Sequence, residues 1–336
     1  MDKTRLLIIG LTSHHTEHIQ ALQANPTVLV AGVCDINISR AKEMSSVFNN
    51  VSYFTNFHVA IDSLKPDAVF ICLPHDQHLE VVELALKKGI HVFKEKPFAH
   101  DLEEANKIAN LFKQSHSKIM TVSQRRFHKT YLEAKNHLGE IGQIKYVFAT
   151  YSFNKPTSGW RKNKKASGGG VIIDSGYHLI DLLLYYFGLP ETVKCELSKL
   201  SNDLSCETED YALIELDYAD GNNVQLVLNR LVETKKEEIV IYGELGKLVA
   251  TKNELVLETY RSGTTKRFTF DSDGFIEAYQ QQHSAFFSSL SNRHLPVPGV
   301  KEGVANNLII EACYLSADTN LTVNTEQLTT SRRLHL

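Results

Sequence analysis

The sequence has little of what marks membrane, secreted or nucleic-acid-binding proteins. Lys and Arg total 36 against 39 Asp and Glu, a formal net charge of −3, so no excess of one sign points to nucleic acid or a membrane surface. Apolar runs are short and interrupted by polar residues, which argues against a bilayer-spanning helix. The chain starts directly with a strand pattern and shows no apolar core of a signal peptide. We therefore expect a cytoplasmic protein without nucleic-acid or membrane partners.

Cysteine is also sparse, and its spacing argues against disulfides. The five cysteines are odd in number and widely spaced, and no C-x-x-C pair occurs. We expect buried, reduced thiols that pack as small apolar side chains. They are Cys34, Cys72, Cys195, Cys206 and Cys313. The 15 histidines are scattered and include no H-E-x-x-H spacing, so we predict no metal site.

The first third of the chain alternates between short apolar runs and amphipathic helical patterns. Such alternation is typical of a parallel sheet covered by helices on both faces. We predict a doubly wound α/β domain over residues 1–122, with its ligand at the carboxyl ends of the strands. The apolar runs are residues 6–9, 28–34, 68–73, 91–93 and 119–122.

The pattern changes near residue 123, where strand-like runs begin to follow one another. After a short helix at about 129–138, an alternating run at 144–153 and an apolar helix at about 172–187, strand patterns dominate. The later strand-like runs are 193–199, 209–218, 223–231 and 237–242, and the closing helices lie near 275–290 and 303–317. We predict an α+β domain over residues 123–336 with a mainly antiparallel sheet and a hairpin turn at Asp220-Gly221.

A candidate dinucleotide fingerprint begins at Gly10, where the first strand leads into a helix. Of the G-x-G-x-x-G pattern only the first glycine is present, because Thr12 and His15 occupy the other positions. The motif alone fits a plain strand–turn–helix equally well. Asp35, 25 residues further on, is placed to accept hydrogen bonds from ribose hydroxyls and to repel a 2′-phosphate. This favours NAD over NADP, although Arg40 is near enough to complicate the preference. The alternative is that Asp35 merely caps the next helix.

Two further segments carry groups suited to chemistry. Glu95-Lys96-Pro97 follows the run 91–93, and a lysine before proline has an extended backbone that presents one cationic group. Alone, this motif is a turn with a solvated lysine. In the glycine-rich segment 168–181, Asp174 and His178 are four residues apart and are expected to share a helix face. The alternative is a core histidine bonded to Asp174 or Asp181.

Taken in order, these motifs resemble the Gfo/Idh/MocA family, which includes glucose-fructose oxidoreductase and inositol dehydrogenase. The resemblance covers most of the chain, and its specific motifs lie before residue 182. They are Gly10, Asp35, Pro74 with His78, Glu95-Lys96-Pro97, Arg126-Phe127, Trp160-Arg161 and the D-x-G-x-H-x-x-D run that begins at Asp174.

The resemblance implies a Rossmann domain, a C-terminal sheet domain and an NAD(P)-dependent oxidoreductase. The substrate class would be a secondary alcohol of a sugar, amino sugar, sugar phosphate or cyclitol. Lys96, Asp174 and His178 fall on the family's catalytic positions. His178 would act as general base and acid, Lys96 would stabilise the developing alkoxide, and Asp174 would orient the histidine or bind a neighbouring hydroxyl.

Contacts to cofactor and substrate are expected at two sets of residues. The expected cofactor contacts are Gly10, Thr12, Ser13, His14, Asp35, Arg40, Leu73, Pro74, His78, Glu95 and Lys96. The expected substrate contacts are Lys96, Arg126, Trp160, Arg161, Asp174 and His178. The resemblance also implies a homodimer or homotetramer built through the exposed face of the second sheet.

Several alternatives remain open at the level of sequence. The basic residues Arg125, Arg126, Arg161, Lys162, Lys164 and Lys165 belong either to a solvated basic loop or to a site for an anionic substrate group. Trp160 either stacks on a sugar or anchors the core. Because Thr12 and His15 replace fingerprint glycines and His75 replaces the usual Asn, a non-catalytic sugar or dinucleotide sensor is a second hypothesis. An NAD-dependent glycosidase is a third.

Overall fold

The structure, a computed structural model, describes residues 3–10, 15–271, 274–292 and 294–334. The chain forms two compact units. The first contains Met1–Gln124 and Tyr279–Val304, and the second contains Arg125–Ala278 and Ala305–Leu336. The predicted boundary at residues 122 and 123 lies close to the point where the chain first leaves the first unit. The return of residues 279–304 to that unit was not predicted.

The first unit contains a six-stranded, wholly parallel sheet in the order β3-β2-β1-β4-β5-β6. This order confirms the predicted doubly wound fold. Its strands are β1 Thr4–Ile9, β2 Val28–Cys34, β3 Ser52–Phe54, β4 Ala68–Ile71, β5 His91–Lys94 and β6 Ile119–Thr121. Its helices are α1 His15–Ala24, α2 Ile38–Val47, α3 Phe57–Leu64, α4 His78–Lys87 and α5 Leu102–Lys113, with short 3-10 helices at His75–Gln77 and Gln124–Phe127.

Local sequence explains where these elements begin. The last four residues of β1 and all four of β4 are buried, as continuous apolar strands between two helical layers must be. Asn37, Asn56 and Asp101 cap α2, α3 and α5, because each side chain accepts hydrogen bonds from amides two or three residues later. The short strand β3 was not predicted, since its residues are partly exposed and carry no apolar run.

The second unit contains a nine-stranded sheet in the order β14-β13-β12-β11-β7-β10-β9-β8-β15. Neighbouring strands are antiparallel except for β7 and β10, which confirms a mainly antiparallel sheet. The strands are β7 Ile144–Asn154, β8 Thr192–Ser198, β9 Tyr211–Asp217, β10 Asn223–Asn229, β11 Leu231–Gly243, β12 Gly246–Thr251, β13 Glu254–Thr259, β14 Thr264–Thr269 and β15 Val323–Asn324.

Helices in this half of the chain include the segment that carries the predicted catalytic histidine. The helices are α6 Lys129–Asn136, α7 Lys164–Ser167, α8 Tyr177–Phe187, α9 Gly274–Leu290, α10 Val300–Thr319 and α11 Thr325–Ser331, with 3-10 helices at Leu138–Ile141 and Gly159–Lys162. A regular helix was predicted over 172–187, but Ile172–Gly176 forms a π-helical turn that continues into α8. Single π-turns within helices occur frequently at functional sites. The predicted hairpin at Asp220-Gly221 is confirmed by the antiparallel pairing of β9 and β10.

The five cysteines are buried and free, as the sequence predicted. Within the described part of the chain, no group of three or more His, Cys, Asp and Glu side chains is arranged to hold a metal ion. None of the helices described combines the length and the apolar character needed to cross a bilayer.

Candidate active site

The carboxyl edge of the six-stranded sheet gathers the predicted cofactor segments of the first unit. Parallel pairing places Ile9 beside Cys34 and Ile71, and Ile71 beside Lys94. The residues that follow these strand ends therefore lie along one edge, where doubly wound folds bind their ligands.

Gly10 occupies a position that admits only glycine. Its φ is +83°, and a Cβ atom there would lie 2.3 Å from the carbonyl oxygen of Cys72. Its amide donates a 2.8 Å hydrogen bond to the carbonyl of Cys34. The first fingerprint glycine is thus required by packing between strand ends. Thr12, Ser13 and His14 lie outside the described residues.

Asp35 extends β2 and is 7% exposed. Its Oδ1 accepts a 2.8 Å hydrogen bond from the amide of Asn37, and Asn37 is the residue that caps α2. The alternative role of Asp35 as the cap of the next helix is therefore wrong. Arg40 is exposed in the first turn of α2, and Ile36 is 88% exposed beside Asp35.

Leu73 and Pro74 are half-buried after β4, and His78 supports them from inside the unit. The His78 ring is 1% exposed, and its Nε2 lies 2.9 Å from the carbonyl oxygen of Leu73. Burial, together with the nearby Lys94 and His75, lowers the pKa of His78 well below its usual value. The neutral ring donates to this carbonyl. The prediction of direct cofactor contact by His78 is therefore corrected, because the buried ring shapes the Leu73-Pro74 segment.

Glu95 connects the Lys96 segment to two buried histidines. Its Oε1 lies 2.7 Å from His18 Nε2, and the Nδ1 of His18 lies 2.7 Å from His283 Nε2. The second carboxylate oxygen of Glu95 accepts a 3.1 Å hydrogen bond from the amide of Lys96. Burial lowers the pKa of His283 well below its usual value. Glu95 is thus held in place by protein contacts and in turn orients the backbone of Lys96.

Sequence reasoning missed Lys94, the residue beneath this turn. Lys94 is 0% exposed, and its ammonium donates to the backbone carbonyls of Glu95 at 3.2 Å, of Phe98 at 2.9 Å and of Pro97. Burial lowers the pKa of Lys94 to about 7, although the carboxylates of Glu104 and Glu95 act to raise it. A lysine at the end of an otherwise apolar strand was the available signal.

In the second unit, Asp174 lies in the π-helical turn between two arginines. Arg161 Nε is 3.4 Å from Oδ1 of Asp174, and Arg230 Nη2 is 3.2 Å from Oδ2. Arg230 is buried and also donates a 2.6 Å hydrogen bond to Thr157 Oγ1. The guanidinium of Arg161 lies over the Trp160 ring at 4.4 Å. Arg230 lies 56 residues from Asp174 in the sequence, so no local pattern predicted this contact.

The glycine-rich segment before the π-turn is held by the half-buried carboxylate of Glu209. Glu209 accepts hydrogen bonds from the amides of Gly170 at 2.8 Å and Ile172 at 3.2 Å, and from the Tyr314 hydroxyl at 2.9 Å. A Cβ atom on Gly170 would lie 2.2 Å from the carbonyl oxygen of Glu209. Burial raises the pKa of Glu209, although these three donors act to lower it. Close approach to the backbone of Glu209, which precedes β9, therefore explains glycine at this position.

His178 lies in the first turn of α8 and is half-buried. Its ring stands edge-on to the ring of Tyr177 at 6.3 Å. The Asp181 carboxylate, which the sequence offered as one partner for His178, is engaged by Arg126 instead. A partly accessible imidazole beside the π-turn is able to meet a ligand of this unit.

Arg126 forms a buried, bidentate ion pair. Its Nε and Nη2 lie 2.7 and 2.8 Å from the two carboxylate oxygens of Asp181. The side chain is 7% exposed and that of Asp181 is 2% exposed. This geometry changes the predicted role of Arg126, because its charge is neutralised inside the unit and its donors are directed to Asp181. We therefore do not propose that Arg126 contacts the substrate.

The other basic residues also differ from the expected loop. Arg125 is buried and forms a bidentate pair with Glu237 at 2.6 and 2.8 Å, and Tyr131 donates a 2.6 Å hydrogen bond to the same carboxylate. Burial acts to raise the pKa of Glu237, but Arg125 outweighs it and the pKa is lowered. Lys162 pairs with Asp203 at 2.8 Å. Of the six, Lys164 and Lys165 are exposed, as expected for a solvated loop.

Comparison with known proteins identifies the family of this chain. Residues 4–123 match the family model described as "Oxidoreductase family, NAD-binding Rossmann fold", and residues 132–249 match the "GFO/IDH/MocA C-terminal domain". A crystal structure of levoglucosan dehydrogenase in complex with NADH and levoglucosan superimposes with a TM-score of 0.89 at 20% identity, covering 96% of this chain and 100% of that one.

Relatives of similar length carry dehydrogenase names. D-glucoside 3-dehydrogenase of Escherichia coli is 23% identical over 89% of this chain and 90% of its own, and myo-inositol 2-dehydrogenase of Thermotoga maritima is 22% identical over 96% and 99%. An uncharacterized oxidoreductase of Schizosaccharomyces pombe, C115.03, is 28% identical over 67% of this chain. The match spans 62% of that relative, less than two thirds of its length. The chain belongs to the Gfo/Idh/MocA family of oxidoreductases, whose N-terminal domain is an NAD-binding Rossmann fold.

Proposed function

We propose that this protein is an NAD-dependent dehydrogenase that oxidises or forms a secondary alcohol of a sugar or cyclitol. The observation that carries the proposal is the ordered set Lys96, Asp174 and His178 in a chain of this family. Relatives named for the dehydrogenation of a glucoside and of myo-inositol support the substrate class.

Features of the first unit support the proposal of a dinucleotide site. Gly10 brings the first strand end against Cys72, and Asp35 places a carboxylate after the second strand for ribose hydroxyls. The exposed Ile36 beside it offers an apolar surface to the adenine. Because Asp35 repels a 2′-phosphate, we propose NAD as the preferred cofactor, with the nearby Arg40 weakening the preference. When bound, NAD supplies the hydride acceptor and donor.

The remaining chemistry falls to protein side chains. Loss of hydride from an alcohol carbon requires removal of the hydroxyl proton, and histidine is the side chain that most often performs such general acid–base catalysis. We assign it to His178. Lys96 stabilises the developing alkoxide through its ammonium group. Asp174, with an arginine at each carboxylate oxygen, accepts a hydrogen bond from a neighbouring substrate hydroxyl, and Trp160 with Arg161 borders the same turn.

A combined binding and turnover assay tests this proposal. Cofactor-stripped wild-type protein and His178→Asn are incubated with NAD or NADH and a panel of sugars, sugar phosphates, cyclitols and their keto forms. NADH formation or consumption is followed, and sugar binding is measured by calorimetry. We expect turnover in the wild type and retained NADH binding without turnover in His178→Asn. Sugar binding in the wild type without any redox change favours the sensor, and release of free sugar without net NADH favours the glycosidase.

We also propose a homo-oligomer that uses the open face of the nine-stranded sheet. Along these strands, half-buried apolar side chains on this face alternate with fully buried side chains on the opposite face. Cross-strand pairing places Phe148 beside Val240 and Leu213 beside Val227. Such a stripe is suited to an isologous contact between copies. Cytoplasmic localisation stays a prediction.

A further inference from the structure

We infer that Lys94 is a positioning residue that fixes the turn carrying Lys96, so that the ammonium of one lysine holds the backbone of the other. This inference rests on the proposed function only for its consequence in turnover. The geometry stands by itself within the first unit.

The contacts of Lys94 surround Lys96 in the sequence. The ammonium donates to the carbonyl before Lys96, at Glu95, and to the carbonyls after it, at Pro97 and Phe98. Three donors of one ammonium therefore match three backbone acceptors of one turn. Pairing within β5 fixes the position of Lys94 between Ile71 of β4 and Thr121 of β6, so the ammonium acts from a fixed point.

Charge explains why a lysine is tolerated at this depth. Lys94 is 0% exposed, and carbonyl dipoles together with the carboxylates of Glu104 and Glu95 stabilise its ammonium. Glu95 is itself held by His18 and accepts the amide of Lys96. The neighbouring His78 is neutral, since burial lowers its pKa. Losing the ammonium leaves buried carbonyls without donors, which loosens the turn locally.

Lys118 provides a matched control in the same unit. Its ammonium also donates to three backbone carbonyls, those of Ser289, of Asn292 at 2.6 Å and of His294 at 2.8 Å. Lys118 precedes β6, at the amino edge of the parallel sheet, whereas Lys94 ends β5 at the carboxyl edge. Replacing either lysine removes an ammonium that donates to three backbone carbonyls, but of the two lysines only Lys94 contacts the turn that carries Lys96.

The experiment compares wild type, Lys94→Met and Lys118→Met by amide hydrogen exchange and by turnover with NADH and a substrate from the panel above. We expect exchange of the amides of Glu95, Lys96, Phe98 and Ala99 to rise at least ~10-fold in Lys94→Met alone, and exchange near 289–294 to rise in Lys118→Met alone. We expect kcat to fall ~10-fold or more in Lys94→Met with KM for NADH within ~2-fold, and to stay at the wild-type value in Lys118→Met. Lys94→Gln, which keeps an amide donor, should be intermediate and serves if Lys94→Met does not fold.

Three results would overturn the inference. Exchange at 95–99 in the foldable Lys94 variants that equals the wild type shows that Lys94 does not hold the turn. Equal losses of kcat in Lys94→Met and Lys118→Met show a general loss of stability. Raised exchange with unchanged kcat shows that the turn is held but does not position Lys96. If wild type has no turnover, the proposed function fails, and the exchange measurements alone still decide whether Lys94 fixes the turn.

Discussion

Two aspartates of one helical segment, Asp174 and Asp181, have very different surroundings. Asp181 is 2% exposed and meets Arg126 through two hydrogen bonds of 2.7 and 2.8 Å. Asp174 is 17% exposed and meets Arg161 and Arg230 at 3.4 and 3.2 Å. Asp181 belongs to the regular α-helix α8, and Asp174 belongs to the π-helical turn before it.

The difference shows how one segment can serve both fold and function. A short, bidentate and fully buried ion pair is not available to bind a ligand, and breaking it leaves a charge in the interior. Longer contacts at an accessible carboxylate can be exchanged for contacts with a ligand at lower cost. We therefore assign stability to the Asp181 end of the segment and chemistry to the end with Asp174 and His178.

His178→Asn should have the largest effect on turnover. Removing a general base lowers rates by about 10²–10⁴-fold, so we expect kcat to fall by ~10³-fold with NADH affinity and melting temperature nearly unchanged. Steady-state kinetics and calorimetry on the same preparation measure both quantities. Turnover at the wild-type rate would remove His178 from the mechanism.

Asp181→Asn should have the largest effect on folding. Removing one partner of a buried ion pair costs about 3–5 kcal/mol, because Arg126 remains charged in the interior. Urea unfolding followed by circular dichroism measures the free energy of unfolding. A loss below ~1 kcal/mol would show that the Arg126 pair carries little stability and would weaken the contrast with Asp174.

Asp174→Asn sharpens the comparison from the other side. It keeps the shape of the side chain but removes its charge, so we expect turnover to fall by ~10–100-fold. The buried Arg230 loses a charged partner, but Asp174 is 17% exposed and its contacts are longer, so we expect a smaller loss of stability than in Asp181→Asn. The matched variant is Asp181→Asn, assayed in parallel. If Asp174→Asn loses as much stability as Asp181→Asn, both aspartates serve the fold.

Arg161→Ala should have the smallest and most selective effect. Arg161 is partly exposed at the edge of the π-turn and its charge is shared with Asp174. If the substrate carries a phosphate or carboxylate, KM for that substrate should rise by ~10-fold more than KM for a neutral analogue. Equal changes for both substrates would exclude an anion-binding role for Arg161.

The sequence predicted the architecture well because the spacing of apolar residues along the chain indicates which side chains are buried. Continuous apolar runs identified five of the six parallel strands, and their ends located Gly10, Asp35 and Lys96 on one edge. The strand Ser52–Phe54 and the return of residues 279–304 to the first unit carry no such local signal. They depend on contacts between distant segments, which periodicity does not encode.

The sequence offers candidate site residues but does not show which side chains pair with one another. Arginine is equally suited to a ligand and to an internal carboxylate, so the sequence could not show that Arg126 pairs with Asp181 and Arg125 with Glu237. The π-turn was missed because its residues fit an α-helical pattern. Lys94 was missed because a lysine is normally solvated, and its carbonyl partners become visible only in three dimensions.

The most direct measurement is a calorimetric titration of the cofactor-stripped protein with NADH and, in parallel, with NADPH. The account predicts that NADH binds and that NADPH binds at least ~10-fold more weakly, with the difference reduced in Asp35→Asn. Such a result would support both the dinucleotide site at the carboxyl edge and the role of Asp35. Failure of the wild-type protein to bind either dinucleotide would contradict the account of this protein as an NAD-dependent dehydrogenase.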